Sequence, residues 1–372
     1  MKHYYLFNNA SRAAQYGIGT YLNQLSHGLK EEAKVSIISI NSDKEEVKST
    51  EDNGIRTIHI PEISYKNSSD NFQRYYRNLI YLLKTFISEE EAVFMLNYLY
   101  MTPLVKLLHE HFLNCKVVAV VHYLNWCFAL NGNVSKFHQL LESKHRDKKE
   151  EVLYEEYWND RKLPYLLLQG VDKVICLSQA TRSLLIADYQ LKSEKTTVIY
   201  NGLKDEGRTI AEEERKKMKQ SLSFDAEDSI ILFVGRPDSI KGVDFLIKAF
   251  RRVLDVYPHA RLILAGDGSF NTYLKKCSGI RSQITFTGKV DKEELYQYCR
   301  IADVGVIPSF HEQCSYVGIE MMMHGLPLIG TDSIGLGEMI VDELKVKLDE
   351  SQEEQLSVEL LTNKIISVLS SP

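Results

Sequence analysis

Two glutamates, Glu312 and Glu320, stand eight positions apart where a predicted strand gives way to a predicted helix. The strand ADVGVIPS ends at Pro308, and YVGIEMMMHGLP predicts a helix with Ser315 as its N-cap and Gly325 just past its end. The first N–H groups of a helix have no partner within it and lie at the positive end of its dipole, which suits a phosphate. A ligand with one sugar on each side of a diphosphate would use both carboxylates and the helix end. Taken singly, each glutamate also fits an ordinary loop or exposed helix position.

A second stretch, ILFVGRPDSIKGVDFLIKAF, carries two cations after a strand that ends at Gly235. Arg236 and Lys241 lie in the loop before the next helix, where they suit a phosphate leaving group. Surface charges in a strand-to-helix loop are the alternative, and the spacing is not that of a P-loop. No D-x-D occurs in the sequence. We therefore expect side chains and a helix dipole to neutralise the phosphates, and we assign no metal ligand.

Two glycine loops and one histidine also follow predicted strands. QYGIGTYL contains Gly17 and Gly19, AGDGSF contains Gly266 and Gly268, and both lack the third glycine of the dinucleotide fingerprint. Each fits a tight turn, but one loop in each half of the chain fits a nucleotide better than a dehydrogenase cofactor. His122 ends the strand VVAVVH, where parallel strands place active-site groups, although a structural histidine is the alternative.

The elements that must position these residues are short apolar strands alternating with helical patterns. Such alternation predicts parallel sheets covered by helices on both faces. The charged stretch KDEGRTIAEEERKKMKQSLSFDAEDS separates two sets of strands. We therefore expect two doubly wound, Rossmann-like α/β domains, residues 1–203 and 204–372, facing a cleft. The mixed-charge stretch Lys136–Lys162 predicts a solvated helical excursion or an insert that recruits an acceptor.

Composition narrows the class of protein. The formal net charge of -5 argues against nucleic acid as a partner. Six scattered cysteines without a CxxC are typical of reduced thiols in the cytoplasm, and no signal peptide or membrane span is apparent. We expect a cytoplasmic protein. The amphipathic stretch NFQRYYRNLIYLLKTFI, with Arg74, Arg77 and Lys84, fits either a helix on the inner face of the membrane or a helix packed on the sheet.

Together these motifs resemble the retaining glycosyltransferases of GT-B fold and family 4 type, the glycosyl transferases of group 1. The stretches that carry the resemblance are GRPDSIKGVDFLIKAF, LILAGDG, ITFTGKV and ADVGVIPSFHEQCSYVGIEMMMHGLPLIGTDSIGLGEMI, and more weakly GIGTYL, VVHYLNW and VIYNGL. EQCSYVGIE matches the E-x7-E motif of that family. The resemblance is strong from about residue 230 to 340 and weaker before it.

The resemblance implies roles at matching positions. Arg236 and Lys241 would hold the diphosphate, Glu312 the transferred sugar and Glu320 the ribose, while His122 would face the donor sugar. The remaining donor-binding positions would be Gly17, Gly19, Gly235, Gly266, Gly268, Gln313, Cys314, Ser315 and Tyr316. The second domain would bind a nucleotide sugar, by default a UDP-sugar, and the first would face the acceptor.

The implied reaction is retaining, metal-independent transfer of a hexosyl or N-acetylhexosaminyl group, as in polysaccharide biosynthesis. It needs no cofactor beyond the nucleotide-sugar co-substrate. The acceptor stays open among glycans, lipid carriers and peptides, and peripheral membrane association would accompany a lipid-linked acceptor. The alternatives are a nucleotide-sugar epimerase of the same architecture and a non-catalytic nucleotide-sugar-binding protein.

The resemblance also raises one expectation about the end of the chain. Family members usually continue into helices that cross back onto the first domain, whereas SVELLTNKIISVLSSP is the last helical pattern here. We therefore expect that the crossover is missing, that the chain was cut, or that an earlier segment takes its place.

Overall fold

A computed structural model of the chain describes residues 2–10, 16–62, 69–87, 91–143, 148, 151–152, 162, 164–268 and 270–371. The chain divides into two compact units. The first comprises Met1–Asn125 and Asp147–Asn201, and the second comprises Trp126–Arg146 and Gly202–Pro372. Residues 126–146 were predicted to belong to the first domain, whereas the described ones among them, residues 126–143, belong to the second unit.

The first unit is built on an eight-stranded sheet of order β3-β4-β2-β1-β5-β6-β7-β8. Its strands are β1 (His3–Asn9), β2 (Lys34–Ser42), β3 (Lys48–Asp52), β4 (Ile55–Pro61), β5 (Ala92–Leu96), β6 (Lys116–Val121), β7 (Lys173–Cys176) and β8 (Thr196–Val198). The strand pairs are parallel except β3 and β4, which form an antiparallel hairpin. Its helices include α1 (Gly17–Leu29), α2 (Ser69–Lys84), α3 (Thr102–His111), α6 (residues 164–170) and α7 (Gln179–Asp188).

Helix α2 is the amphipathic stretch considered above for a membrane surface. It packs against α3, and its apolar side chains Tyr75, Tyr76, Leu79, Ile80 and Leu83 are buried. Arg74, Arg77 and Lys84 are exposed. This arrangement favours the helix packed within the protein, because its apolar face is already covered. Across the described residues, every helix is too short or too polar to cross a bilayer.

The second unit is built on a six-stranded parallel sheet of order β11-β10-β9-β12-β13-β14. Its strands are β9 (Ser229–Val234), β10 (Ala260–Ala265), β11 (Ile284–Gly288), β12 (Val304–Ile307), β13 (Leu328–Thr331) and β14 (Lys345–Val346). Its helices are α8 (Glu212–Ser221), α9 (Val243–Leu254), α10 (Phe270–Lys276), α11 (Lys292–Ile301), α12 (Tyr316–Met323), α13 (Leu336–Met339) and α14 (Val358–Leu369). Near-continuous apolar strands are covered on both faces by two apolar clusters, as expected for a doubly wound sheet.

Two short helices, α4 (Asn125–Ala129) and α5 (Val134–Glu142), lie in the first half of the sequence but belong almost entirely to the second unit. Most of the predicted excursion Lys136–Lys162 lies outside the described residues. Its beginning belongs to α5, in which Phe137 and Leu140 are buried. That part of the stretch is therefore a packed helix rather than a solvated one.

Candidate active site at the carboxyl edge of the second sheet

The predicted site residues of the second unit gather where the strand order of its sheet reverses. From β9 the chain winds outward through β10 and β11, and then returns to place β12 on the other side of β9. Arg236 and Lys241 follow β9, and Glu312 follows β12. Parallel sheets open a ligand-binding crevice at the carboxyl ends of such neighbouring strands. The topology therefore brings two stretches of sequence, far apart along the chain, to one place.

Lys241 and Glu312 form an ion pair at this point. The Lys241 ammonium group donates to Glu312 Oε1, and the Ser309 hydroxyl donates to the same oxygen at 3.1 Å. The Lys241 side chain is 22% exposed and that of Glu312 is 15% exposed, so solvent screens the pair only in part. A cation that can bind phosphate and a carboxylate that can accept sugar hydroxyls are thus held side by side.

Backbone contacts fix the loop that carries Glu312. The Phe310 N–H donates to the Ile240 carbonyl at 2.8 Å, which ties this loop to the turn that carries Lys241. The Thr331 hydroxyl at the end of β13 donates to the Ser309 carbonyl. Ser309 and Thr331 were not among the predicted site residues. Ser309 lies in the stretch PSFHE and Thr331 in the stretch GTDS. A single hydroxyl residue has no spacing pattern from which its role could be predicted.

Arg236 lies at the same strand end but is not drawn into the ion pair. Its guanidinium group is 3.4 Å from the Asp238 carboxylate, and its side chain is 37% exposed. Asp238 also accepts the backbone N–H of Lys241 at 3.3 Å and so caps the turn. Arg236 is therefore an accessible cation beside a more deeply held one.

The glycine turns after β9 and β10 pack directly against each other. Gly266 has φ +145°, and a Cβ there would lie 2.1 Å from the Gly235 carbonyl oxygen. A Cβ on Gly268 would lie 2.6 Å from the Pro237 ring. Only glycine allows both this backbone conformation and this approach. The glycines of AGDG thus allow the ends of β9 and β10 to lie against each other beside the cations.

Helix α12 begins as the sequence predicted. Ser315 has extended backbone angles, and its side chain accepts the Gly318 N–H at 3.2 Å, which confirms it as the N-cap. Gln313, Cys314 and Ser315 are buried, and Tyr316 is partly buried. Because the side chains of Gln313 and Cys314 are buried, a ligand at this helix end would meet this stretch mainly through its backbone.

Glu320 lies one turn into α12 and is partly buried. Burial raises the pKa of its carboxyl group to about 7, although the nearby Lys292 ammonium opposes the shift. Lys292 donates to Glu206 at 2.6 Å, and the Tyr296 hydroxyl lies 3.3 Å from the same carboxylate. Glu206, Lys292 and Tyr296 were not predicted, because their charged and polar surroundings in the sequence are those of ordinary surface helices and linkers.

His122 belongs to the first unit, directly after β6. Its Nε2 donates to Asn97 Oδ1 at 2.9 Å, and the Asn97 amide donates to the Phe7 carbonyl at 2.9 Å. Burial lowers the pKa of His122 to about 3, so the imidazole is neutral at physiological pH. Its ring meets that of Tyr21 edge-on, at 4.7 Å between ring centres. The histidine is therefore a fixed hydrogen-bonding group rather than a cation.

The helix that begins at the first glycine loop contacts this histidine through Tyr21. Gly17 is the first residue of α1 and Gly19 follows within its first turn, two positions before Tyr21. Residues 11–15, which precede the loop, lie outside the described residues. Tyr21 thus connects the start of α1 to His122 within the first unit.

Comparison with known proteins gives matches along most of the chain. A family model described as Glycosyltransferase Family 4 matches residues 16–206, and one described as Glycosyl transferases group 1 matches residues 228–370. An uncharacterized glycosyltransferase of Methanocaldococcus jannaschii is 30% identical over 187 residues, which are 49% of this chain and 48% of that protein. Alpha-monoglucosyldiacylglycerol synthase of Streptococcus pneumoniae is 30% identical over 183 residues, 48% of this chain and 41% of that protein. The chain spans about half the length of these curated relatives.

Solved structures resemble the whole chain. Sucrose-phosphate synthase from Thermosynechococcus elongatus superposes with a TM-score of 0.76 at 21% identity, covering 100% of this chain and 90% of that one. The Anabaena protein HepE, solved with UDP and glucose, gives a TM-score of 0.71 at 16% identity, covering 100% of this chain and 90% of that one. At these identities the likeness concerns the fold, and it confirms the predicted GT-B fold.

Proposed function

Because the chain belongs to glycosyltransferase family 4, we propose that it transfers a sugar from a nucleoside diphosphate to an acceptor hydroxyl with retention of anomeric configuration. The observation that carries this proposal is the Lys241–Glu312 pair at the strand reversal, eight residues before Glu320. In this proposal Lys241 serves the diphosphate, Glu312 the transferred sugar and Glu320 the ribose. A UDP-sugar is the proposed donor, since the fold neighbour HepE was solved with UDP and glucose.

The donor would lie along the strand ends of the second unit. Lys241 would leave Glu312 for the diphosphate, with the exposed Arg236 as the second cation, and Glu312 would then accept hydroxyls of the transferred sugar. The backbone N–H groups around Ser315 lie at the positive end of α12 and add to the neutralisation. Glu320 would accept the ribose hydroxyls. We propose that this set acts without a metal ion or other cofactor.

Transfer would break the bond between C1 of the sugar and the diphosphate oxygen. A new bond forms between C1 and the acceptor oxygen on the same face, and the acceptor proton passes to the leaving diphosphate. Negative charge therefore grows on the diphosphate as the bond breaks. Lys241 and Arg236 would stabilise that charge, and a single well-placed donor of this kind is worth about 10² to 10³ in rate. The step needs no nucleophile from the protein, and we assign none.

His122 would have a different role, because its neutral imidazole cannot supply charge. Held by Asn97, it would offer a polar edge to the sugar or accept one of its hydroxyls. The transferred group is proposed to be a hexosyl or N-acetylhexosaminyl group. The acceptor is proposed to be a glycan, lipid-linked or peptide hydroxyl, and for a lipid-linked acceptor the protein would work at the inner face of the membrane.

A donor screen tests the proposal. The purified chain is incubated with single nucleotide sugars, and nucleoside diphosphate and sugar products are separated by chromatography. Slow release of nucleoside diphosphate and free sugar from one donor, lost in Lys241→Ala and kept in Lys248→Ala, supports a transferase. Lys248 is a suitable control, because it is an exposed lysine on α9 paired with Glu354. Conversion of the donor to an isomeric nucleotide sugar without release would instead identify an epimerase.

A further inference from the structure

The carboxylate of Glu350 binds the start of α5. Glu350 accepts the backbone N–H groups of Val134 at 3.1 Å and Ser135 at 2.9 Å, together with the Ser135 hydroxyl. The Glu350 carbonyl accepts the Asn133 side chain at 2.9 Å, and Asn133 in turn caps α5. A charged acceptor at unpaired helix N–H groups is a strong attachment. The clamp joins residues more than 200 positions apart.

The turn before this clamp touches the loop that carries Glu312. Asn131 and Gly132 both have positive φ, +48° and +67°. A Cβ on Gly132 would lie 2.2 Å from the Phe310 carbonyl oxygen and 3.2 Å from His311 Cβ. Glycine at this position therefore permits a close approach as well as the left-handed backbone.

Both backbone polar groups of Phe310 have a close neighbour in this arrangement. Its carbonyl lies against Gly132, and its N–H donates to the Ile240 carbonyl at 2.8 Å. Ile240 directly precedes Lys241, and Phe310 lies two residues before Glu312. A shift of the Phe310 backbone would therefore move the loop that carries Glu312 and the turn that carries Lys241.

We propose that the Asn131–Gly132 turn, clamped by Glu350, sets the position of the loop that carries Glu312 and of the turn that carries Lys241. Gly132 and Glu350 are then positioning residues, since they act through Phe310 and do not touch the donor. The effect on transfer rests on the function proposed above. The effect on the loop does not, and it can be measured on its own.

Four variants separate this role from general destabilisation. Gly132→Ala introduces the clash, and Glu350→Ala removes the clamp. Gly54→Ala is the matched control for the first, because Asn53 and Gly54 have φ of +50° and +78° and a Cβ on Gly54 meets nothing within 4 Å. Glu354→Ala is the control for the second, because Glu354 lies in the same acidic stretch and pairs with the exposed Lys248.

Hydrogen exchange of backbone amides measures the loop directly. We expect peptides covering residues 308–316 to exchange faster in Gly132→Ala and Glu350→Ala, while peptides of β10 and both control variants stay at wild-type rates. If Gly132→Ala fails to fold, Glu350→Ala decides alone. Wild-type exchange over residues 308–316 in the folded variants would overturn the proposal.

Steady-state kinetics measures the consequence for transfer. We expect kcat to fall about tenfold or more in the two test variants with donor KM changed far less, because misplacement of the reacting groups costs rate more than binding. Glu350→Gln keeps one acceptor oxygen and should restore part of kcat. An unchanged kcat in a variant whose loop exchanges faster would contradict the proposal that the turn affects transfer. If the wild type transfers from no donor, the proposed function fails, while the exchange result still decides whether the turn holds the loop.

Discussion

The Lys241 ammonium group donates to the carboxylate of Glu312, 71 positions further along the chain. The pair exists because β9 and β12 are neighbours at the reversal of strand order, so the loops after both strands meet. Each residue is the partner of the other, and each has a separate proposed partner in the donor. Opening this pair would accordingly be part of donor binding.

Lys241→Met should lower kcat by about 10² to 10³, because it removes a cation aimed at the growing charge of the leaving diphosphate. It should also destabilise the fold, since Glu312 remains partly buried beside Ser309 without its counter-ion. The double variant Lys241→Met/Glu312→Gln should recover stability and leave transfer impaired. Turnover assays and denaturant unfolding on the three proteins measure both effects. Recovery of turnover in the double variant would show that Lys241 serves only as a counter-ion.

Glu320 should make stability fall as the pH rises towards neutral. Burial raises its pKa to about 7 in the folded protein from 4.5, so the folded state holds the proton longer than the unfolded state. Its contribution is full below about pH 4.5 and is lost as the pH rises through about 7. Glu320→Gln should lack this loss. Unfolding free energies of both proteins at pH 5 and pH 8 measure it, and parallel pH profiles would contradict the assignment.

The same carboxyl group should make donor binding depend on pH in the opposite sense. The ionised form accepts the ribose hydroxyls best, so affinity should rise as the pH increases through about 7. An intact nucleotide sugar is the proper probe, because its phosphates are both esterified and do not titrate in this range. Calorimetric titration of the wild type and Glu320→Gln should give a rising and a flat profile. Two flat profiles would remove Glu320 from the site.

His122 should make the free energy of unfolding decrease as the pH falls below neutral. Burial lowers its pKa to about 3 from 6.5, so between these values the unfolded state binds more protons. Its contribution is full above about pH 6.5 and is lost as the pH falls towards 3. His122→Gln should lack this slope while keeping a donor for Asn97. Unfolding at pH 4 and pH 7 compares the two proteins, and equal slopes would place the acid sensitivity elsewhere.

Gly266→Ala should lower the free energy of unfolding of the second unit far more than Gly54→Ala lowers that of the first unit, to which Gly54 belongs. Both glycines have positive φ, but the new methyl group would collide with the Gly235 carbonyl oxygen only at Gly266. The difference should be about 2 kcal/mol or more, since the backbone of two strand ends must move apart. Denaturant unfolding of both variants measures it. Equal losses would mean that the turns separate easily.

Much of the site could be predicted from sequence because its parts are local. The E-x7-E spacing, the N-cap at Ser315 and the strand that ends before Pro308 all lie within one short stretch. The loops after β9 and β10 could likewise be predicted, because glycines and cations directly follow each strand in the sequence. The family and the GT-B fold follow from these stretches, and both are confirmed.

The other features of the site depend on contacts between residues far apart in the sequence, which hydrophobic periodicity does not predict. The mixed charges of Lys136–Lys162 predicted a solvated excursion or an insert, whereas Phe137 and Leu140 of α5 are buried. Residues 126–146 were predicted to lie in the first domain because the charged stretch after residue 203 was the boundary between the two sets of strands. The strand order that brings Lys241 next to Glu312 likewise cannot be predicted from the sequence pattern. Glu206 and Lys292 pair across 86 positions from two charged stretches, each of which looks like solvated surface.

A screen of single nucleotide sugars is the direct test of the proposed sugar transfer. Wild type, Lys241→Ala and Glu320→Ala are each titrated with single nucleotide sugars, and binding is followed together with release of nucleoside diphosphate. We expect at least one donor, a UDP-sugar, to bind the wild type and to be slowly hydrolysed, and both variants to lose binding and hydrolysis. Hydrolysis that persists in both variants, or no binding of any nucleotide sugar to the folded wild type, would contradict the proposed transfer.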